Sequence, residues 1–351
     1  MVIARTPREP IADPFAILRS SARASLRPAA VPDWTSPMLA TLTDRRFSDP
    51  DWLFERKLDG ERCLAFARKN QVTLKSRNGN VISDAYPEIV DALQRQRAGE
   101  GLVADGEIVA FVGRQTSFQQ LQRRIHLRAP ERVAKAAVPV FYYLFDLIHL
   151  DGRDLTDLEL LDRKRLLRRA FRFADPLRFS AHRVGQGERF YEEACRRGWE
   201  GIIAKNARST YTHGRSRDWL KFKCAFGQEF VIGGFTEPKG SRIGFGALLV
   251  GYYEGDRLLY AGKVGTGFDT ATLLDLHRRL RQIETEASPF DTAGAARRDV
   301  AGATVHWVRP QLVAQIGFSE WTAEGRLRHP RYEGLRTDKD AREVVRERPV
   351  T

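Results

Sequence analysis

No apolar run in this chain approaches the roughly 20 residues that a membrane-spanning helix needs, and the N-terminus lacks the apolar stretch of a secretory signal. The expected setting is the cytoplasm, with no membrane partner. Cysteine is scarce: Cys63, Cys195 and Cys224 are scattered and odd in number, which suits a reducing compartment and offers no zinc spacing. The histidines His126, His149, His182 and His306 show no ligand spacing either. No internal repeat is evident. The run GKVGTG at 262–267 lacks the lysine–threonine pair of a phosphate loop and the βαβ setting of a dinucleotide turn, so it reads as a plain turn.

Positive charge is what the chain has in excess. Lys plus Arg is 58 against 45 Asp plus Glu, a net charge of +13. Such a surplus points to a polyanionic partner, most simply nucleic acid, although basicity alone names no chemistry. At 351 residues and 42% hydrophobic, the chain suits about two globular domains.

Residues 1–34 carry five prolines and no sustained period, and read as a loosely ordered lead-in. From Trp52 the runs WLFERKL, RCLAFAR and VTLKS, separated by turn residues, predict an antiparallel meander. YPEIVDALQRQ predicts a helix, LVADGEIVAF and VPVFYYLFDLI buried strands, and LLDRKRLLRRAF a basic amphipathic helix, read as a solvated face with contact to DNA the alternative. A helix at 188–197 and the strands GIIAK and WLKFK complete a first domain, set at 35–226. The second, 227–346, has short strand-like runs with Gly turns and one helix at 270–283, which suits a small barrel such as an OB-fold.

The candidate chemistry starts at ERKLDGER, residues 55–62. A lysine amine attacks only when neutral, so Lys57 would need burial or neighbouring cations to lower its pKa. Arg62, Arg77, Lys205, Lys221 and Lys223 are the available cations, and such a cluster would also hold a polyphosphate. Asp59 could orient the amine or a metal-bound water, and Gly60 permits the turn. SRNG supplies Arg77, DGEIVAF supplies Glu107, and EGIIAK supplies Glu200. WLKFK puts Lys221 and Lys223 on one strand face, and FDL offers Phe145 as a ring to stack on a base. Taken singly, each has a bland reading as an exposed turn, a strand end or core.

In order, KLDGER, SRNG, DGEI, FDL, EGIIAK and WLKFK resemble the successive motifs of the covalent nucleotidyltransferases, and RTDK at 336–339 resembles the last motif of the ATP-dependent DNA ligases. FERKLDGERCLAF, YLFDLIHLDGRDL and EWTAEGRLRHPRYEGLR are further similar to the ligase module of bacterial ligase D, from non-homologous end joining. This resemblance implies an α+β, two-domain protein, an antiparallel-sheet adenylation domain followed by an OB-fold barrel. It implies ATP and Mg2+ or Mn2+ as cofactors, and nicked or broken double-stranded DNA as partner, with the end-binding protein Ku as a further partner of a monomer.

The resemblance also implies roles. Lys57 would attack the α-phosphorus of ATP, with Glu55 accepting from the adenine amino group and Phe145 stacking on the base. Arg62 and Arg77 would hold ribose and phosphate. Glu107 and Glu200 would bind ribose or metal. Arg215, Lys221 and Lys223 would neutralise charge on the α-phosphate. Arg336, Asp338 and Lys339 would act from the second domain when it closes. An RNA ligase or capping-type enzyme would share the fold and the lysine, and a degenerate module would bind nucleic acid without catalysis. The RTDK ending favours DNA sealing over the former, and the complete set of cation positions speaks against the latter.

Overall fold

The computed structural model describes residues 13–348, apart from 70, 97–100, 126, 128, 225, 239 and 292. His126 and the first twelve residues of the lead-in lie outside the described residues. The chain divides into two compact units between Phe222 and Lys223.

The first unit is built on two sheets. One runs, in spatial order, Arg27–Pro28, Arg153–Asp154, Val140–Leu150, Gly101–Val112, Glu61–Arg68 and Gln71–Ser76, with two short strands added off this path. The other runs His182–Val184, Trp52–Arg56, Gly201–Asn206, Gly214–Lys223 and Met38–Leu42. The expected meander is therefore corrected: Trp52–Arg56 and Glu61–Arg68 do not pair but belong to different sheets, and the chain crosses between them over 57–60. Strand RCLAFAR shows why it sits inside. Its alternate residues feed two cores, Leu64 and Phe66 the one between the sheets, Cys63, Ala65 and Ala67 the one under the helices.

The lead-in is more ordered than expected over its described part. Pro14–Ile17 and Ser20–Ala24 are short helices, Arg27–Pro28 pairs with Arg153–Asp154, and Leu18 enters the core. Helix Pro87–Gln94 starts on a proline, as helices tolerate, and buries Ile89 and Leu93. Helix Leu160–Ala170 departs from the solvated face expected of it: Asp162, Arg163 and Lys164 are buried. Helices Phe118–Ile125 and Pro130–Ala136 lie in a stretch whose pattern gave no signal. Cys63 is free and buried.

In the second unit, Phe226–Thr236 is the central strand. It pairs antiparallel with Leu248–Glu254, Val305–Val308 and Val313–Phe318, and the last of these pairs with Arg331–Arg336. Register shifts at Ile232/Gly234 and Val250/Gly251 bend the sheet around a single core. Helix Thr270–Arg281 is capped by Asp269, whose carboxylate accepts from Thr272 N at 2.7 Å, and it buries Leu273, Leu276 and Leu280. The 262–267 run is not all turn, since Gly262 to Val264 close the strand Arg257–Val264. No helix among the described residues is long and apolar enough to cross a membrane.

Candidate active site

The site grows from the crossing between the two sheets. Lys57 follows strand Trp52–Arg56 with its N–H donating to Gly201 O at 2.9 Å, so it sits at the end of that strand, beside the start of Gly201–Asn206. Gly60 makes the crossing possible: a Cβ there would stand 2.2 Å from Ile108 O. Asp59 fixes the far side of the loop, accepting from Phe118 N and donating its own N–H to Thr116 Oγ1, both at 3.2 Å.

Lys57 Nζ lies 2.5 Å from Glu200 Oε2. Burial pulls the amine down, but Glu200, and after it Asp59 and Glu107, outweigh this and raise it above the ordinary lysine value. The sequence-based expectation of a lysine depressed by a cation cluster is thus corrected. Arg62, Lys205 and Lys223 are held by other carboxylates, and Lys57 sits among acids. The amine is charged in this state and has to lose a proton before it can attack.

Glu107 lies opposite Arg62 in the sheet register. Arg62 is held in a fork by the fully buried Asp105, at 2.6 and 2.7 Å, and donates to Met38 O at 2.9 Å. Tyr211 adds its hydroxyl to Asp105 at 2.6 Å. The fork fixes the guanidinium 4.7 Å from the Phe145 ring centroid.

Phe145 owes its position to a β-bulge. Asp105 pairs with Asp146 and the next residue, Gly106, pairs with Leu144, so Phe145 is the extra, unpaired residue, turned into the core between the sheets. Trp219 meets it edge-on at 5.9 Å, and Lys205 Nζ stands 4.1 Å from its ring. Glu55, two residues before the nucleophile candidate on the same strand, is buried and accepts from Lys164 and Lys205 at 2.5 and 3.0 Å.

The structure thus brings Glu55, Lys57, Asp59, Arg62, Glu107, Phe145 and Glu200 to one region of the first unit. Arg77 lies in the turn 76–80 at the end of the outer strand Gln71–Ser76. Arg215 donates to Ala40 O at 2.7 Å, and Lys221 is half-buried on the same strand. Lys223 belongs with the second unit, where it donates to Gly227 O and pairs with Glu347 at 2.9 Å. There too Asp338 holds Arg336 in a fork at 2.8 and 2.7 Å, and Glu229 pairs with Lys339 at 3.1 Å. Reading the sequence missed Asp105, Tyr211, Lys164 and Ser180. The first lies inside the DGE motif and could have been noticed; the others carry no local signal.

The residues fit a hard divalent cation. Glu107 and Glu200 are oxygen donors placed around an ammonium group, and magnesium takes one or two carboxylates, completing its shell with phosphate and water. Among the described residues no cluster of three or more His, Cys, Asp or Glu side chains is large enough to cage a metal alone.

A family model described as the ATP dependent DNA ligase domain matches residues 37–223, and one described as the ATP dependent DNA ligase C terminal region matches 241–339. The chain belongs to the ATP-dependent DNA ligases, enzymes that consume ATP and act on DNA. Its α+β architecture is a nucleotidyltransferase domain followed by an OB-fold. It is 40% identical over 330 residues to the multifunctional non-homologous end joining protein LigD of Pseudomonas aeruginosa, covering 91% of this chain and 37% of that protein. It is 39% identical over 319 residues to the multifunctional non-homologous end joining DNA repair protein LigD of Mycobacterium tuberculosis, covering 90% and 40%. The chain spans less than half the length of these relatives. A solved structure, mycobacterial DNA ligase D complexed with ATP and MES, superposes with a TM-score of 0.64 at 36% identity, covering 90% of this chain and 99% of that one.

Proposed function

We propose that the chain seals nicks in duplex DNA in the repair of double-strand breaks by end joining, with Lys57 as the carrier of AMP. The observation that supports this most is Lys57 at the sheet crossing, among Glu200, Asp59 and Glu107. Lys57 Nζ, once deprotonated, forms a bond to the α-phosphorus of ATP while the bond to the pyrophosphate oxygen breaks. A 5′-phosphate oxygen of the nick then takes the AMP and frees the lysine. The 3′-hydroxyl attacks that 5′-phosphorus, loses its proton and expels AMP.

Around this sequence Phe145 stacks on the base, Glu55 accepts from its amino group, and Arg62 and Arg77 hold ribose and phosphate. Arg215, Lys221 and Lys223 offset phosphate charge, for which Lys223 has to exchange Glu347 for phosphate. Arg336, Asp338 and Lys339 serve the adenylation step, Asp338 by orienting Arg336. Glu107 and Glu200 hold Mg2+ or Mn2+. The ion, when bound, neutralises phosphate charge. The enzyme works as a monomer in the cytoplasm beside the nucleoid, with Ku as a partner at broken ends. Sealing of a nicked duplex by the full chain with ATP and either metal tests the proposal. Adduct formation with ATP and no sealed product on DNA would refute it.

The charged state of Lys57 has a measurable consequence. A raised pKa keeps the amine protonated to higher pH, so self-adenylation should climb through the neutral range as pH rises. Glu200→Gln removes the carboxylate that raises the amine most, and should move the rising limb to lower pH, whatever it does to the plateau. A limb that stays in place in Glu200→Gln would show that Glu200 does not set the proton affinity.

The net charge of +13 predicts steep salt dependence of DNA binding. Each phosphate contact contributes a slope of about −0.9 to log affinity against log salt. Titration of a nicked duplex between low and moderate salt should give several such units. A flat response would mean that the surplus charge does not face DNA.

A further inference from the structure

Glu55 is held by more donors than a structural ion pair needs. Its carboxylate accepts from Lys164 Nζ at 2.5 Å, Lys205 Nζ at 3.0 Å and Ser180 Oγ at 3.0 Å. Lys164 has two further hydrogen bonds, to Phe145 O at 3.3 Å and Ser180 O at 3.1 Å, so its ammonium is fully used. One lysine therefore ties the acceptor to the backbone of the ring that would carry the base. Of the carboxylate's roughly four acceptor positions three are filled, and a fourth donor can still be met. Glu55, Lys164 and Lys205 are all buried, and the desolvation of such a triad makes it a poor device for stability compared with apolar packing. Selecting a ligand is the better explanation.

We propose that Lys164, supported by Ser180, is the positioning residue for base selection: it fixes Glu55 as an oriented acceptor beside Phe145, so that the enzyme prefers a purine triphosphate bearing a 6-amino group. This rests on the reading of Glu55 given above. Burial alone would raise the Glu55 carboxyl, but Lys164 and then Lys205 bring it down to about 2, so it stays an anion that only accepts. His182, opposite Glu55 in the register, is a further titratable neighbour, and burial with the two lysines pushes it down towards neutrality.

The test is single-turnover self-adenylation of the full chain with ATP and with purine riboside triphosphate, which lacks the 6-amino group. Lys164→Met should lower the second-order rate constant for ATP about tenfold or more, the loss of one hydrogen bond to a charged group, and lower that for purine riboside triphosphate much less. Ser180→Ala, which keeps the triad, should narrow the same preference by a smaller factor and decides the matter should Lys164→Met not fold. Equal losses with both nucleotides in the variant tested would mean a structural role and overturn the proposal. Glu55→Gln separates the two levels. If it leaves the preference intact, the reading of Glu55 falls and this proposal with it. If it narrows the preference and the Lys164 and Ser180 variants do not, the proposal alone falls.

Discussion

Lys57→Ala abolishes the covalent AMP adduct: after incubation with ATP, intact-mass analysis should show the wild-type chain heavier by one AMP and the variant unchanged. The rival amine is Lys205, which burial, with Lys164 beside it, depresses to about 8 despite Glu55. By proton affinity alone it would be the better nucleophile at neutral pH. Geometry decides against it. Its side chain is 2% exposed, bonded to Glu55 and lodged between the Phe145 and Trp219 rings, whereas that of Lys57 is 20% exposed at the sheet crossing. A nucleophile must reach its phosphorus, and a buried ammonium under the base platform cannot. Lys205→Ala should therefore weaken ATP binding and still form the adduct. The Lys57 variant should fold, because the contact that seats this residue is its backbone N–H on Gly201 O. An undiminished adduct in Lys57→Ala would take the role away from Lys57.

What could be read from the sequence is what depends on neighbours in sequence. Short apolar runs between turn residues, such as RCLAFAR and LVADGEIVAF, marked strands, and the KLDGER and RTDK motifs marked the family, because the chemistry requires those side chains at fixed spacing. The long-range arrangement was not legible. Nothing in WLFERKLDGERCLAF says that its two strands lie in different sheets, since turn residues look alike whether the chain folds back or crosses over. The Phe145 bulge is set by pairing with Asp105 and Gly106, some forty residues earlier, and not by its own sequence. Helix 160–170 looked like a solvated basic face because two of its charged residues are neutralised by partners out of local view, Asp146 for Arg163 and Glu55 for Lys164, while the buried Asp162 pairs with Arg165 three residues on. The proton affinity of Lys57 was misjudged for the same reason. The cations of its motifs are engaged elsewhere: Asp105 holds Arg62, Glu347 holds Lys223, and Glu55 holds Lys205 together with Lys164.

The buried pair Arg163–Asp146 gives the largest expected loss of stability. Both side chains are 0% exposed, and the fork closes at 2.8 and 3.0 Å. Arg163 also donates to Leu158 O at 2.5 Å and Ser209 O at 3.0 Å, and Asp146 accepts from Leu147 N at 2.9 Å. Asp146→Ala leaves a guanidinium with two carbonyl partners and no counter-charge, which costs about 3–5 kcal/mol. That should lower the melting temperature of the first unit on the order of 10 °C, followed in the full chain by loss of self-adenylation on heating as well as by circular dichroism. Removing both charges, as in Asp146→Leu with Arg163→Met, should recover most of the loss, since a packed apolar pair escapes desolvation. The two substitutions divide what the pair does. Asp146 follows Phe145 at the bulge, and its side chain ties that strand to helix Leu160–Ala170, which also carries Lys164. If the pair only stabilises, the double variant regains both melting temperature and ATP affinity. If it also registers the bulge, stability returns while the affinity for ATP stays low, because Phe145 no longer has a fixed neighbour. A single Asp146→Ala variant that melts within about 1 °C of the wild type would show that the guanidinium finds water there, and the buried pair would have to be given up as a determinant of this fold.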